Sequence, residues 1–266
     1  MSATSTDHAA FVPQALARVR EQTPLVQCLI NVVVTNFTAN VLYAVGGQPA
    51  MVDIPDEAGP LAAGGASGVV INLGTPYAEQ RTAMIEAAQA ANSAGTPWVL
   101  DPVAIGRLPV RTALAQQLLE LRPPMIRGKP SGIAVLAGAG ADGSADSVEA
   151  AAESARTLAR RTGGVVAVSG PVDFVTDGER ESRIANGDAM ITQVTGGGCA
   201  LAGVMAAFAA VDEDRFATTV AALAAYSVAA ELAARQATGP GSFAVAFVDA
   251  LAALTERDLL QRVSIS

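Results

Sequence analysis

Short, continuously apolar runs alternate with helix-length segments along most of the chain. The runs lie at residues 25–31, 50–52, 69–73, 98–101, 125–127 and 165–169. Apolar and polar residues do not alternate within most of them, which is typical of strands covered by helices on both faces. The segments between the runs predict helices at residues 37–45, 77–93, 111–121 and 148–161. This alternation predicts an α/β fold with a mostly parallel central sheet flanked by helices on both faces.

The two ends of the chain depart from this alternation. Residues 1–10 predict a disordered tail, and residues 11–22 predict a first helix. Residues 173–176 and 182–184 predict two late edge strands, and helices are predicted after them at 199–211, 216–236 and 242–256. No stretch is rich enough in Pro, Gly or Ser to mark a domain boundary, and the most loop-like stretch, residues 139–146, is short. We therefore predict a single domain over residues 11–266.

The composition excludes several classes of protein. Cys28 and Cys199 are the only cysteines in 266 residues, so a disulfide scaffold is excluded. His8 is the only histidine and lies in the predicted tail, which argues against a zinc site or a Ser–His–Asp triad. Hydrophobic residues make up 51% of the chain and charged residues 16%, which excludes disorder. The net charge of −8, without a basic run, predicts no nucleic-acid partner but is compatible with a small anion.

Two long stretches without charged side chains, residues 25–52 and 189–211, raise the question of a membrane segment. Asn, Thr, Gln, Pro and Gly interrupt both, and Asn31, Asn36 and Asn40 would be costly in lipid. We predict that both stretches are buried in a domain outside the membrane. The first residues lack a basic segment followed by an apolar one, so we expect no secretory signal and a cytoplasmic location.

The strongest local motif is a run of three glycines between Thr195 and Cys199, directly before a predicted helix. Glycines allow a close approach of the backbone to a ligand, and the start of a helix offers free N–H groups to an anion. A transferring phosphoryl group carries the negative charge that such a site stabilises. Cys199 is expected in the first turn of the helix, where the thiolate is favoured. A simple glycine-rich turn with a structural cysteine remains the alternative.

Other polar residues lie where apolar runs end. Asp101 ends one run and is a candidate metal ligand, unless it only caps the turn before Pro102. Arg127 and Lys129 end the next run and are candidate phosphate ligands, unless they form a solvated basic loop. Asn31, Asn72 and Ser169 mark three further strand ends. Because ligands of open α/β sheets bind beyond the carboxyl ends of the strands, these residues are the first candidates for a functional site.

Taken together, these segments resemble the hydroxyethylthiazole kinase family of the ribokinase-like superfamily. The resemblance extends from about residue 24 to the last helix. Its motifs are Asn31-Val-Val-Val-Thr-Asn36-Phe-Thr-Ala-Asn40, Pro49-Ala-Met51, Asn72-Leu-Gly-Thr75, Leu100-Asp101-Pro102-Val103, Ile126-Arg127-Gly128, Asp173-Phe-Val-Thr-Asp177-Gly178 and Thr195-Gly-Gly-Gly-Cys199. It implies a ribokinase-like fold and the ATP- and Mg²⁺-dependent phosphorylation of 4-methyl-5-(2-hydroxyethyl)thiazole in thiamin salvage. It also implies a homotrimer with active sites between subunits.

The resemblance assigns roles to individual residues. ATP is expected at Arg127, Ser169 and Lys129, and Mg²⁺ at Asp101. The catalytic anion hole is expected at Gly196, Gly197 and Gly198. Cys199 occupies the position at which many ribokinase-like enzymes carry an aspartate base, and is a candidate proton acceptor. The thiazole alcohol is expected to contact Asn31, Val33, Met51, Gly74, Thr75 and Gly196.

The sequence departs from the family pattern in places that concern the metal and the rim of the site. Lys129 replaces an Asn, and Gly132 replaces the Glu that helps to organise Mg²⁺. Gln27, Ile30 and Gly197 replace the usual His, Thr and Thr. One reading is a working kinase in which the Lys129 ammonium supplies the net charge of a metal–carboxylate pair. The other is a divergent or catalytically impaired paralogue that binds a nucleotide or a different small heteroaromatic alcohol.

Overall fold

The computed structural model describes residues 5–139 and 145–266. Within these residues, eight strands form one sheet in the order β2-β1-β3-β4-β5-β6-β7-β8. The strands are β1 (Leu25–Leu29), β2 (Gln48–Ala50), β3 (Gly68–Asn72), β4 (Trp98–Asp101), β5 (Met125–Gly128), β6 (Val165–Val168), β7 (Asp173–Thr176) and β8 (Glu181–Ile184).

The helices lie mostly between the strands and after the last of them. They are α1 (Ser5–Gln22), α2 (Thr35–Val45), α3 (Ala58–Gly64), α4 (Ala78–Ala94), α5 (Pro109–Glu120), α6 (Pro130–Leu136), α7 (Val148–Thr162), α8 (Gly197–Ala209), α9 (Arg215–Ala234), α10 (Pro240–Ala253) and α11 (Glu256–Arg262). A 3₁₀ helix, Ala189–Gln193, precedes α8.

The strand directions follow the predicted pattern. Neighbouring strands from β2 to β6 are all parallel. The last two, β7 and β8, are antiparallel, as short hairpin connections allow. Near the end of the chain, Ile265 forms an antiparallel bridge with Ile184 at the edge of the sheet. The predicted mostly parallel α/β sheet and the two late edge strands are confirmed.

Helices cover both faces of the sheet, which confirms the second part of the fold prediction. Buried side chains of α1, α2, α8, α9 and α10 form one hydrophobic core with one face of the strands. Those of α3, α4, α5, α6 and α7 form a second core on the opposite face. Because both faces are dry, the strands read as continuous apolar runs in the sequence.

The first helix begins at Ser5, before the predicted start at residue 11. The prediction of a disordered tail over residues 1–10 is therefore wrong for residues 5–10, and residues 1–4 lie outside the described part of the chain. His8 is buried, and its ring meets Phe216 of α9 edge-on with the ring centroids 5.4 Å apart. This aromatic contact stabilises the first turns of α1, which precede the apolar residues from which the sequence predicted the helix.

Three seven-residue helices, α3, α6 and α11, were not predicted because a helix of two turns is too short for its apolar periodicity to be recognised. The predicted helix at 242–256 corresponds to α10, which begins at Pro240 and ends at Ala253. The chain then starts α11, where the Thr255 side chain accepts a hydrogen bond from the Asp258 N–H. The predicted loop at 139–146 lies largely outside the described residues.

One helix in the described part of the chain, Arg215–Ala234, is long and apolar enough to cross a membrane. In the fold, 83% of its most apolar window is buried inside the protein. A helix in the centre of a core packs against other elements on every side, so all of its faces are apolar. This position explains the long apolar stretch.

The connectivity locates a crevice at one edge of the sheet. From β1 the chain continues to β2 on one side, and then returns past β1 to β3 on the other. Ligands of open α/β sheets bind beyond the carboxyl ends of the strands where the strand order reverses in this way. The residues that follow β1 and β3 are therefore the first to consider for a functional site.

Candidate active site

A row of polar side chains joins the carboxyl ends of neighbouring strands. Asn31, just after β1, donates from Nδ2 to Oδ1 of Asn72 at the end of β3, over 2.9 Å. Asn72 in turn donates to Oδ2 of Asp101 at the end of β4, over 2.6 Å. The Gly74 N–H also donates to Asn72 Oδ1. A Cβ on Gly74 would lie 2.4 Å from Asn31 Nδ2, so only glycine leaves room for this row.

The row continues through a buried ion pair. Nη1 of Arg127, on β5, lies 3.8 Å from Oδ1 of Asp101. Nε of the same guanidinium donates to Oγ of Ser169, just after β6, over 3.1 Å. Arg127 and Asp101 are both buried. Five neighbouring strands therefore present connected polar groups at the edge where ligands of open α/β sheets bind.

Burial dominates the titration of the two carboxylates near Arg127. It raises the pKa of Asp101 to about 6, although Arg127, the hydrogen bond from Asn72 and Lys129 all lower it. Burial likewise raises the pKa of Asp173 to about 6, against the Gly170 N–H and Arg127. The nearby cations therefore offset only part of the desolvation of these two carboxylates. No group of three potential metal-ligating side chains occurs in the described residues.

Helix α8 begins beside this row and points its N-terminus at it. Gly196 precedes the helix with a φ of 94°, in the left-handed region that favours glycine. A Cβ on Gly198 would lie 3.1 Å from Arg127 Nη2, so the guanidinium lies directly against the first turn. Within the described chain, the N–H groups of Gly198 and Cys199 have no hydrogen-bond partner. Free amides, the helix dipole and Arg127 together form a site for an anion.

Cys199 lies in this first turn, but the prediction of a favoured thiolate is wrong. Burial and the charge of Asp101 raise the pKa of the thiol, and Asn72, Arg127 and Asn31 offset them only in part. Sγ lies 4.0 Å from Asn31 Nδ2. The helix dipole is insufficient here because the thiol is mostly removed from water and faces a carboxylate. Cys199 is therefore a neutral thiol at neutral pH.

Tyr226 of α9 is a residue that the sequence analysis missed. Its hydroxyl donates to the carbonyl of Gly197 over 2.6 Å and holds the first turn of α8 from the side of the core. The ring is buried and meets Phe247 edge-on. It lies in an almost uniformly apolar helix, and no local pattern distinguishes it from a core residue.

The remaining predicted residues make no side-chain hydrogen bond or ion pair to this row in the described part of the chain. Met51, after β2, is half-buried and packs against the core on the side of α8. Val33 lies in the turn after β1 with 65% of its surface exposed. Thr75 has a buried hydroxyl without a hydrogen-bond partner in the described residues. Lys129 is exposed directly before α6, and its ammonium still lowers the pKa of Asp101.

Two of the departures from the family pattern have clear local consequences. A Cβ on Gly197 would lie 2.5 Å from the carbonyl oxygen of Ile191, so the missing side chain lets the 3₁₀ helix approach the loop. A Cβ on Gly132 would meet only the Pro102 carbonyl oxygen, at 3.4 Å, so a side chain fits there. Gly197 is therefore required by the packing of this chain, whereas Gly132 is not.

Comparison with known proteins gives a consistent result. A family model described as the hydroxyethylthiazole kinase family matches residues 16–257. A hydroxyethylthiazole kinase of Clavibacter sepedonicus is 57% identical over 255 residues, which cover 94% of this chain and 92% of the relative. A hydroxyethylthiazole kinase structure from Pyrococcus horikoshii OT3 superposes with a TM-score of 0.89 at 38% identity, over 96% of this chain and 98% of that one.

A more distant structure shares only the fold. The pyridoxal kinase of Staphylococcus aureus, solved in complex with AMP-PCP and pyridoxal, superposes with a TM-score of 0.58 at 13% identity. The match covers 78% of this chain and 87% of that one. The ribokinase-like fold that the resemblance implied is thereby confirmed.

The raised pKa of Asp101 predicts a specific pH dependence of stability. The folded protein binds the Asp101 proton more tightly than the unfolded chain, so this group reduces the free energy of unfolding as the pH rises from 3.8 to about 6. Two pKa units correspond to at most about 3 kcal/mol. The Asp101→Asn variant should not show this loss of stability. Its free energy of unfolding should therefore increase relative to that of wild type as the pH rises.

Urea unfolding without Mg²⁺, at several pH values between about 4 and 7, measures this difference. Asp249→Asn, at an exposed position of α10, is the control and should follow the wild-type curve. If the free energies of unfolding of Asp101→Asn and wild type change with pH in parallel, the pKa of Asp101 is not raised in the folded protein.

Proposed function

The chain belongs to the hydroxyethylthiazole kinase family, and we propose on that basis that it transfers the γ-phosphoryl group of ATP to the primary alcohol of 4-methyl-5-(2-hydroxyethyl)thiazole. It is a kinase with an alcohol acceptor, and this step belongs to the salvage of the thiazole half of thiamin. The observation that carries the proposal is the anion site formed by Arg127 and the free amides of Gly198 and Cys199.

The phosphate end of the site follows from the charges. Arg127 is placed to bind phosphate oxygens, with Ser169 holding the guanidinium through Nε. Lys129 adds an ammonium whose charge reaches Asp101. Of the predicted glycine amides, the Gly197 N–H donates to the Val194 carbonyl oxygen, so the free amides of Gly198 and Cys199 would bind the phosphoryl oxygens. During transfer, negative charge grows on the phosphoryl and leaving-group oxygens. Fixed N–H dipoles and one guanidinium stabilise that charge without having to reorganise.

The alcohol end lies toward β1 and β2. Asn31, Met51, Gly74, Thr75 and Gly196 would contact the thiazole or its hydroxyethyl arm, and Val33 would close the pocket. Support comes from Gly196, where a Cβ would meet Phe37 and Val34 at 3.1–3.3 Å, so the loop lies directly against the segment that follows Asn31.

The exposed surface beside the alcohol end suggests a second subunit. Val32 and Val33 expose 62% and 65% of their surfaces in the turn that follows Asn31. Neighbouring exposed apolar side chains at the edge of a site mark an interaction surface. We propose a homotrimer with active sites between subunits, in which residues 11–266 act as one domain, and we propose a cytoplasmic location.

A divalent cation fits the site at Asp101. The carboxylate is 1% exposed, and its raised pKa shows that Arg127 and Lys129 do not fully offset its burial, so a cation there would be stabilising. Mg²⁺ is commonly held by one or two carboxylates, with waters and substrate phosphates as the other ligands. When bound it would neutralise phosphate charge, while Asp101 holds it and Asn72 fixes the orientation of Asp101.

Cys199 contributes position rather than an initial proton transfer. Its raised pKa keeps the thiol neutral, so it cannot remove the alcohol proton before transfer begins. A phosphoryl transfer with a loose transition state needs little nucleophile activation, because positioning and electrostatic stabilisation supply most of the catalysis. We propose that the thiol packs beside the alcohol oxygen and that the proton leaves late, after the O–P bond has begun to form.

The test of the function is phosphorylation of 4-methyl-5-(2-hydroxyethyl)thiazole by the purified protein with ATP. We expect the thiazole phosphate and ADP in equal amounts with Mg²⁺, and no product with a chelator. Product detection by mass spectrometry, together with a separate ATP-binding measurement, separates the two readings of the sequence. Bound ATP without any product would instead support an impaired paralogue or a kinase of a different alcohol.

The neutral thiol predicts a mild effect of Cys199→Ala. We expect kcat to fall by less than about tenfold, because no proton-transfer step is lost. Arg127→Met should lower kcat by at least about a hundredfold, because it removes charge stabilisation from the transferring group. Steady-state kinetics at saturating ATP measure both. A loss for Cys199→Ala as large as that for Arg127→Met would show that the thiolate is the base.

Lys129 and Gly132, which stand where the family pattern has Asn and Glu, allow the proposed metal site to be tested separately. If the Lys129 ammonium takes over part of the metal's role, Lys129→Asn combined with Gly132→Glu should lower the Mg²⁺ concentration for half-maximal activity by at least about threefold. The new side chain at position 132 has room, so folding is preserved.

Lys129→Asn combined with Gly64→Glu is the control, because it makes the same change in net charge but puts the carboxylate at the end of α3, where a side chain meets nothing within 4 Å. Titration of activity with Mg²⁺ measures the change. Activity and a Mg²⁺ response equal to those of wild type in Lys129→Asn combined with Gly132→Glu would show that Lys129 does not compensate for the missing glutamate.

A further inference from the structure

A buried glutamine on α4 connects two segments on either side of the proposed alcohol pocket. Gln80 is 6% exposed, and its Nε2 donates to the carbonyl oxygen of Ile30 and to Oδ2 of Asp53, both over 2.8 Å. Ile30 immediately precedes Asn31. Asp53 lies two residues after Met51. One amide group therefore links the end of β1 to the loop at residues 51–57, which connects β2 to α3.

A second buried glutamine, on β1, forms hydrogen bonds to the same loop. Gln27, on β1, is fully buried, and its Nε2 donates to the carbonyl oxygens of Val52 and Ala58 over 2.9 and 3.0 Å. These two carbonyls lie near the start of loop 51–57 and just beyond its end. With the amide reversed, the side-chain oxygen would face two acceptors, so the hydrogen bonds determine its orientation.

The loop has few other attachments. Its backbone bonds are short-range, from Val52 N–H to Ala50 and from Ala58 N–H to Ile54. Ile54 is 46% exposed. Glu86, one and a half turns after Gln80 on α4, accepts the Asp56 N–H over 3.1 Å. Side chains of β1 and α4 therefore determine where the loop lies, while Met51 packs against the core.

We propose that Gln27 and Gln80 are positioning residues that set the width of the alcohol pocket, by fixing Met51 on one wall relative to Asn31 on the other. This inference rests on the proposed function, because the roles of Met51 and Asn31 do. Gln80 is the more informative of the two, since it alone bonds to both walls. A small displacement of either wall changes how well the ring of the acceptor is held.

We call Gln80 and its hydrogen bonds to Ile30 and Asp53 the clamp. Its position predicts which kinetic constant changes when these bonds are lost. In the described chain, the hydrogen bonds of the Gln80 side chain go to residues that follow β1 and β2, and none goes to Arg127, Ser169 or the start of α8. Loss of its N–H groups should weaken binding of the alcohol equally in the ground state and the transition state, so KM for the alcohol rises while kcat is kept. KM for ATP should not change.

Gln80→Met tests the proposal, because methionine keeps the length and volume of glutamine and removes both donors. We expect KM for the thiazole alcohol to rise at least about fivefold, with kcat and KM for ATP within about twofold of wild type. Gln89→Met, on the exposed face of the same helix, is the matched control and should leave all three constants unchanged. An unchanged KM for the alcohol in folded Gln80→Met, or equal rises in both KM values, would overturn the proposal.

Asp53→Ala covers the case in which Gln80→Met does not fold. Asp53 is half-buried, and its loss removes only the loop end of the bridge. KM for the alcohol should again rise, by at least about twofold, with KM for ATP unchanged. The absence of any selective rise would count against the clamp.

Hydrogen exchange separates this proposal from the proposed function. The clamp predicts faster amide exchange in residues 51–57 of Gln80→Met, or of Asp53→Ala, than of Gln89→Met without any substrate. If wild type fails to phosphorylate the thiazole alcohol but exchange in the loop rises, the function is wrong and the clamp stands. Exchange equal to that of the control would refute the clamp whatever the activity.

Discussion

The buried contact between Asp101 and Arg127 organises the rest of the site. The Arg127 guanidinium lowers the pKa of Asp101, but burial outweighs this effect and leaves that pKa raised to about 6. Asn72 completes the shell of Asp101, and Ser169 completes that of Arg127. Because these four residues end four adjacent strands, the sheet itself sets their spacing.

Helix α8 supplies the second half of the arrangement. Its first turn lies against the Arg127 guanidinium because Gly198 has no side chain. Tyr226 holds the same turn from the core through the Gly197 carbonyl. A guanidinium and the positive end of a helix repel each other, so their close approach is stable when an anion lies between them. The folded chain thus presents a site that suits an anion.

Much of this could be predicted from local sequence. Continuous apolar runs indicated the parallel strands, and polar residues at their ends indicated Asp101, Arg127 and Ser169. The state of Cys199 could not be predicted, because its pKa depends on burial and on Asp101, a hundred residues away in the chain. Tyr226, Gln80 and the continuous helix around His8 also lacked a local signal. Each depends on a contact with a distant segment.

The sequence by itself determined the α/β class, the order of the elements and the glycine loop, since periodicity and glycine conformation act over a few neighbouring residues. Tertiary structure alone decided which charges face each other and which are removed from water. It decided that the pKa values of Cys199 and Asp101 are raised, and it brought α4 to the loop at residues 51–57. Electrostatic and hydrogen-bond energies depend on distances through space, and those distances exist only after the sheet has formed.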